Sequence, residues 1–152
     1  MREILFRGKR ADNGEWVEGY YCYGKYYLDA RPMAVILPTD ISFFPHSEIS
    51  EWHEVIPVSV GQYTGLLDRK EMKIFEHDIL ESRASENPED WKRWICVYHG
   101  GGFIIIREYI ECESKNWEQH LLSGKEINLY GLEVIGNVHD NPELMIEEGV
   151  TE

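Results

Sequence analysis

The stretch WICVYHGGGFIIIRE, residues 94–108, contains two apolar runs separated by a histidine and three glycines. Glycine adopts the positive φ angles that tight hairpin turns require, so the pattern predicts two antiparallel strands joined by a short turn. Nearly every position of both runs is apolar, whereas a strand with one solvated face alternates apolar and polar residues. We therefore expect these strands to lie in the core with both faces covered.

A second hairpin is predicted by EILFRGKRADNGEWVEGYYCYG, residues 3–24. Asn13 and Gly14 stand between apolar runs and both accept positive φ, which is a strong hairpin signal. The expected strands lie near residues 3–8 and 15–23. The stretch up to residue 50 contains several prolines, which cannot donate to a strand ladder. Only residues 34–37 are predicted to form a strand within it.

The middle of the chain is also rich in strand-forming residues. EVIPVSVGQYTGLL, residues 54–67, and IFEHDILE, residues 74–81, are predicted strands joined by a polar connection. The last predicted strand has one face made of Leu132, Val134, Gly136 and Val138.

Signals for helix are few. Asn141 as N-cap and Pro142 as first helical residue predict a short helical turn after the last strand. The segment from Asn87 to Asp90 is expected to form one capped turn. SKNWEQHLL, residues 114–122, predicts about two helical turns that begin at a Ser114 cap.

Many short strands separated by turns predict a mainly β protein with little helix, folded as a single domain over residues 1–152. We expect a small, partly open β-barrel, SH3-like or related, in residues 58–140. Residues 1–57 are expected to add an N-terminal β-hairpin and a long excursion, and residues 141–152 a short helical turn and tail.

Composition restricts the partners and the compartment. The net charge of −13 repels a phosphate backbone, so nucleic acid is disfavoured as a partner. We find no apolar run of membrane-spanning length and no signal-peptide pattern, which predicts a cytoplasmic protein with no membrane partner. Cys22, Cys96 and Cys112 have no CxxC spacing and are expected to be reduced thiols.

Two glycine motifs resemble parts of catalytic sites. HGGG, residues 99–102, matches the oxyanion-hole element of lipases, but the chain has no G-x-S-x-G nucleophile elbow. SGKE, residues 123–126, has the Gly-Lys pair of a phosphate-binding loop without the rest of that motif. We therefore interpret the first as a hairpin turn and the second as a turn.

Acidic and histidine side chains provide the remaining candidates for chemistry. Imidazole and carboxylate groups together suit zinc or iron, and the residues in question are Glu76, His77, Asp78, His99, His139 and Asp140. They lack a helical H-x-x-x-H spacing and a thiolate pair. We predict no catalytic, cofactor-binding or metal-binding residues. The rival hypothesis is a metal-dependent hydrolase that uses His77, Asp78 and His139.

A cluster of tyrosines near the N-terminus is a candidate interaction surface, made of Tyr20, Tyr21, Tyr23, Tyr26 and Tyr27. Tyrosine is common at protein interfaces and on half-buried β surfaces. Stacking on single-stranded nucleic acid is an alternative, because basic residues lie nearby in sequence. We favour the protein interface, since the segment is nearly neutral and stacking without a basic groove is weak.

Three segments resemble the YopX-like proteins of bacteriophages and of prophages in low-GC Gram-positive bacteria. They are ILFRGKRADNGEWVEGYY at 4–21, VGQYTGLLDRKEMKIFEHDIL at 60–80 and EVIGNVHDNPELM at 133–145. The resemblance implies a phage-encoded, mainly β protein with no assigned biochemical role. It also implies that His77 occupies a position where relatives have glycine, so that its backbone would have positive φ in a tight turn.

These observations predict a non-enzymatic accessory protein that binds other proteins, namely itself, a host protein or both. We expect a homo-oligomer without a cofactor. The alternative is a nucleic-acid-related role, either single-strand binding by the tyrosine-rich N-terminal sheet or mimicry of DNA by the acidic later part of the chain.

Overall fold

The computed structural model describes residues 2–26, 29–40 and 51–145. The chain divides into two compact units, residues 1–63 and residues 64–152. The boundary lies within one strand, a few residues after the predicted start of the β core. The prediction of a single domain with a core over residues 58–140 stays a prediction.

The first unit is an antiparallel sheet. Its strands are β1 (Phe6–Lys9), β2 (Trp16–Tyr26), β3 (Asp29–Leu37), β4 (His53–Val55) and the start of β5 (Gly61–Leu67). They lie side by side in the order β4-β3-β2-β1-β5. A 3₁₀ turn, Pro57–Ser59, precedes β5. Ala34, Ile36 and Val55 form the buried centre of this unit.

The N-terminal hairpin is present as predicted, with its turn at Asn13 and Gly14, and Gly14 has φ 73°. β3 is longer than the predicted strand at residues 34–37, because it also runs through Pro32. Pro32 lies outside Ala34–Ile36, the part of β3 that pairs with β4. The missing amide therefore interrupts no ladder on that side.

The second unit holds the end of β5 and a five-stranded antiparallel sheet. Its elements are β6 (Lys73–Phe75), β7 (Asp78–Ser82), β8 (Arg93–His99), β9 (Gly102–Glu111), β10 (Ser114–Leu121), α1 (Gly124–Tyr130) and β11 (Leu132–Asn137). The sheet order is β10-β9-β8-β7-β11, and β6 neighbours β5. Short 3₁₀ turns occupy Pro88–Asp90 and Pro142–Met145.

One face of the five-stranded sheet forms the core of the second unit. The core residues are Ile74, Leu80, Trp94, Cys96, Phe103, Ile105, Leu122, Ile127 and Leu132. Ile127 is the buried residue of α1. The sequence predicts both faces of β8 and β9 to be covered, but alternate residues of these strands, such as Ile95 and Ile104, are only half-buried. That prediction is wrong for the outward residues.

The GGG segment forms the β8–β9 turn as expected. His99 pairs with Gly102, and the two residues between them, Gly100 and Gly101, have φ 61° and 86°. Two consecutive positive φ values match the twist of a two-residue hairpin, and glycine adopts them without steric cost.

The predicted helix at residues 114–122 is wrong, because this segment forms β10. It pairs with β9 along its whole length, from Ser114 opposite Glu111 to Leu121 opposite Ile104. The helix begins later, where SGKE was interpreted as a turn. The Ser123 side chain caps α1 by accepting a hydrogen bond from the Lys125 amide at 3.2 Å. Sheet pairing outweighs the weak helical spacing of residues 117 and 121.

The prediction that Leu132, Val134, Gly136 and Val138 share one face of the last strand is also wrong. A register shift between Val134 and Gly136 places a bulge within β11, so the alternation of faces breaks there. Val138 lies beyond the strand end.

The predicted mainly β class is confirmed, and the two sheets are compatible with the partly open form expected. Within the described ranges, no helix has the length and hydropathy needed to cross a membrane.

Candidate functional site

The motif Glu76-His77-Asp78 builds the turn between β6 and β7. Asp78 is buried, and its Oδ2 accepts a hydrogen bond from the Phe75 amide at 2.8 Å. His77 has φ 73°, as its glycine-like position implies. The His77 amide donates to the Cys96 carbonyl at 2.8 Å, and the His77 carbonyl accepts from the Val138 amide at 3.0 Å. The motif therefore joins three segments of the second unit.

The His77 ring also meets His139. His139 Nε2 lies 3.2 Å from His77 Nδ1, and the ring centroids are 5.1 Å apart at an edge-on angle of 80°. One nitrogen of such a bond donates and the other accepts. Glu76 Oε1 lies 3.7 Å from His77 Nε2. In the described part of the chain, no three His, Cys, Asp or Glu side chains converge as metal ligands would.

Asn137 and Asn141 shape the turn after β11. Asn137 Oδ1 accepts hydrogen bonds from the amides of His139 and Asp140, both at 3.0 Å. Asn141 Oδ1 accepts from the Asn137 amide at 3.3 Å, so the oxygen predicted to cap the next turn points back toward β11. The side chains of Asn137 and Asn141 therefore accept hydrogen bonds from backbone amides and fix the shape of this turn.

Asp68 is the buried carboxylate of the GQYTGLLD segment. Its Oδ1 accepts hydrogen bonds from the amides of Lys70 at 2.7 Å and Met72 at 2.9 Å, which shapes the turn before β6. Its Oδ2 accepts from the Val134 amide in β11 at 2.8 Å. One side chain therefore fixes a turn and ties it to a distant strand.

Glu133 is the centre of a cluster of ion pairs. Its side chain is 3% exposed and lies 2.9 Å from Arg69, 3.1 Å from Lys70 and 3.0 Å from Arg83. Burial acts to raise the pKa of Glu133, but the hydrogen bond from Lys70 and the charges of Lys70, Arg83 and Arg69 outweigh it and lower that pKa. Opposite charges compensate for the buried carboxylate, as a structural ion-pair cluster requires.

A cavity of about 230 Å³ is lined by residues of β7, β8, β10, α1 and the β7–β8 connection, among them Lys92, Trp94, Glu118 and Tyr130. It is smaller than the pockets that usually hold drug-sized ligands, which start at roughly 300 Å³. Glu118 is engaged with His120 at 3.1 Å and with Arg107 at 3.0 Å. Burial acts to raise the pKa of Glu118, but these partners and Lys92 lower it.

The structure does not bring the predicted tyrosine surface onto one face. Tyr20 pairs with Leu37 and Tyr21 with Ile36, so these neighbours point to opposite faces of the sheet. Tyr21 packs against Phe6 with ring centroids 5.3 Å apart, and burial raises the pKa of its phenol. Tyr20 and Tyr23, 45% and 63% exposed, lie on opposite faces because they are three residues apart. The Tyr26 and Tyr27 side chains lie outside the described residues.

A different exposed surface lies on β9 and β10, and the sequence did not reveal it. Residues opposite each other in the ladder share a face. The pairs Ile104–Leu121, Ile106–Gln119, Glu108–Trp117 and Ile110–Lys115 thus lie together, on the side away from the core. Ile110, Trp117 and Leu121 are 70%, 66% and 63% exposed. We name Ile104, Ile106, Ile110, Trp117 and Leu121 the β9–β10 face.

The β9–β10 face was missed because its hairpin has no glycine turn. Cys112 and Glu113 join the two strands with φ 51° and 63°, values that residues with side chains rarely adopt. Apolar residues at positions 117 and 121 fit a helix as well as alternate positions of a strand.

Comparison with known proteins places this arrangement in a family. A family model described as YopX protein matches residues 5–146. The chain therefore belongs to the YopX family, and the resemblance inferred from the sequence is confirmed. A comparison with curated proteins gave no match.

One similar solved structure is the crystal structure of protein EF1440 from Enterococcus faecalis. It has a TM-score of 0.60 and 25% sequence identity, and the alignment covers 96% of this chain and 100% of that one. The similarity therefore extends over nearly the full length of both chains.

Proposed function

We propose that this YopX-family chain is a phage- or prophage-encoded accessory protein of the bacterial cytoplasm that works by binding protein, without enzymatic activity. Its partners are itself, a host protein or both. The phage origin rests on the resemblance of its three sequence segments to phage and prophage proteins.

The observation that carries the proposal is the β9–β10 face. Ile110, Trp117 and Leu121 expose apolar side chains on two adjacent strands. Large exposed apolar side chains gathered on one face of a sheet are typical of sites that bind other proteins. Tryptophan is also enriched among the residues that contribute most to binding at such sites.

The chemistry of the other conspicuous residues supports a binding role over catalysis. Asp68 and Asp78 accept backbone amides, and Glu133 is surrounded by three cations. A net charge of −13 favours a protein partner over a nucleic acid. Single-strand stacking would need the tyrosines on one face, whereas Tyr20 and Tyr23 lie on opposite faces.

Affinity capture tests the proposal directly. The parent protein and the I110K/W117K variant are each immobilised and exposed to lysate of a low-GC Gram-positive host, and the bound proteins are compared. L129K is the matched control, because Leu129 is 60% exposed on α1, away from the β9–β10 face.

We expect a partner, or further copies of the chain, to bind the parent and L129K but not I110K/W117K. If the parent, L129K and I110K/W117K all recover the same bound proteins in equal amounts, the β9–β10 face is not the binding site. No recovered protein, together with a monomeric mass in solution, would contradict the proposed function.

A further inference from the structure

We propose that β10 pairs with β10 of a second copy in antiparallel orientation about Gln119, so that the two five-stranded sheets continue into each other. The inference rests on the proposed protein-binding role and identifies the partner as the chain itself. It follows from the edge position of β10, the direction of its amides, and the order of its side chains.

β10 is an edge strand with little of the usual protection. Among the described residues it is the outermost strand of its sheet, and its eight residues are in unbroken register with β9. Natural edges avoid pairing with other chains by proline, bulges, short length or charged side chains, lysine above all. β10 contains no proline and no bulge, and the charges of Lys115 and Glu118 are paired within the chain with Glu108 and Arg107. The edge is therefore competent to accept another strand.

The amides on the open side of β10 belong to alternate residues. The Leu122 amide donates to the Phe103 carbonyl of β9 at 3.0 Å. Successive amides of an antiparallel strand point in opposite directions, so those of Leu121, Gln119 and Trp117 point away from β9. Within the described ranges, no other strand pairs with this side of β10. These amides and their carbonyls are available to an added strand.

In one register, the side chains of β10 complement those of β10 in a second copy. With a two-fold axis at Gln119, Trp117 lies opposite the partner's Leu121, so the exposed apolar groups cover each other. On the other face, Glu118, which each copy holds against its own His120 and Arg107, lies opposite the partner's His120, so no like charges oppose each other there. A register centred on Glu118 would instead oppose two carboxylates, which destabilises a strand pair.

The distribution of charge along β10 permits this contact, although the net charge of the chain is −13. Lys115 pairs with Glu108 at 2.8 Å, and Glu118 pairs with Arg107 at 3.0 Å. The charged groups along β10 are thus balanced within each copy. Two acidic chains approach along this edge without facing rows of like charge, and a two-fold axis makes the interface closed.

Sedimentation velocity over a range of concentrations tests the pairing, with L121K and the matched control L129K. We expect the parent to form a dimer, and L121K to weaken dimerisation by about tenfold or more, since it places a charge against the partner's Trp117. L129K should dimerise like the parent. Thermal unfolding of each variant verifies that it is folded.

A second pair of variants tests the backbone contact. Q119P removes an amide that points away from β9, so it should abolish dimerisation, whereas Q119A keeps that amide and should retain it. A monomeric parent at roughly 100 µM, where even weak specific dimers form, would overturn the proposal. So would a dimer that L121K and Q119P both leave unchanged. If the chain is monomeric and still captures a host protein through the β9–β10 face, the proposed function stands and the self-pairing fails.

Discussion

At the scale of single residues, the groups that attract chemical interest mostly hold backbone in unusual conformations. His77 keeps φ 73° in a two-residue turn, and its ring bonds to His139. Left-handed backbone costs a residue with a side chain roughly 1–2 kcal/mol, whereas glycine adopts it freely. At His77 the left-handed backbone therefore destabilises the fold, whereas the ring contact with His139 stabilises it. Substitutions can measure the two effects separately.

Replacing His77 by glycine and by alanine separates these contributions. H77G loses the ring contact but relieves the backbone, so we expect its free energy of unfolding to stay within about 1 kcal/mol of the parent. H77A loses the contact and keeps the backbone cost, so it should be less stable than H77G by about 1 kcal/mol. Denaturant unfolding measures both. Equal stability of the two variants would contradict the role assigned to the positive φ.

Gly19 is needed for close approach of two strands. A Cβ atom at this position would lie 1.9 Å from the Leu37 carbonyl oxygen, so β2 and β3 would have to separate. We expect G19A to lower the free energy of unfolding by about 2 kcal/mol or more. The control is G24A in the same strand, where a Cβ meets nothing within 4 Å. Similar losses for both variants in denaturant unfolding would argue against steric conflict at Gly19.

At the scale of elements, hairpins with glycine turns were predictable and the hairpin without them was not. The turns at Asn13–Gly14 and Gly100–Gly101 carry the residues that positive φ favours, so their strands could be placed from sequence. The β9–β10 turn uses Cys112 and Glu113 in the same backbone region. Neither cysteine nor glutamate is among the residues that tight turns favour, so the sequence does not predict a turn here.

Substitutions in the β9–β10 turn are expected to stabilise the protein. The double variant C112N/E113G supplies the residues that a two-residue hairpin prefers, so it should raise the free energy of unfolding by about 1 kcal/mol. Thermal and denaturant unfolding against the parent give the measurement. A less stable variant would mean that the native side chains at this turn contribute more than its backbone costs.

The same reasoning explains which parts of the candidate site could be foreseen. The left-handed backbone at His77 followed from its resemblance to a glycine position. The burial of Asp68 and Glu133 could not be foreseen, because their partners Val134 and Arg83 lie far away in sequence. Predicting the β9–β10 face required assigning β10 as a strand, but the spacing of its apolar residues fits a helix as well as a strand.

At the scale of the whole molecule, an acidic chain concentrates compensating positive charge around a few carboxylates. Arg69, Lys70 and Arg83 surround Glu133, while Arg83 and Arg93 also pair with Glu81. Buried carboxylates paired in this way make stability depend on pH, because protonation removes the charge that the cations stabilise.

This dependence has a definite direction for Glu133. Its pKa is lower in the folded chain than in the unfolded chain, so the folded state binds fewer protons near that pKa. The stabilisation is present above the ordinary glutamate pKa of about 4.3 and is lost as pH falls through the folded value. We therefore expect the stability difference between the parent and E133Q to be largest near neutral pH and to shrink in acid. A difference that does not change with pH in denaturant unfolding would contradict this.

The bond between Asp68 and Val134 has a consequence for how the chain is made. The two residues are 66 positions apart, and β7 pairs with β11 over a long separation too, from Leu132 opposite Ser82 to Asn137 opposite Asp78. Contacts between distant segments form late, since the intervening loop must close first. On the ribosome, the second unit cannot complete its sheet until β11 has left the exit tunnel, whereas the β1–β2 hairpin can form during synthesis. Until then β7 lacks its second neighbour in the sheet and the core lacks Leu132, so a nascent chain stalled before residue 132 is expected to be a substrate for chaperones.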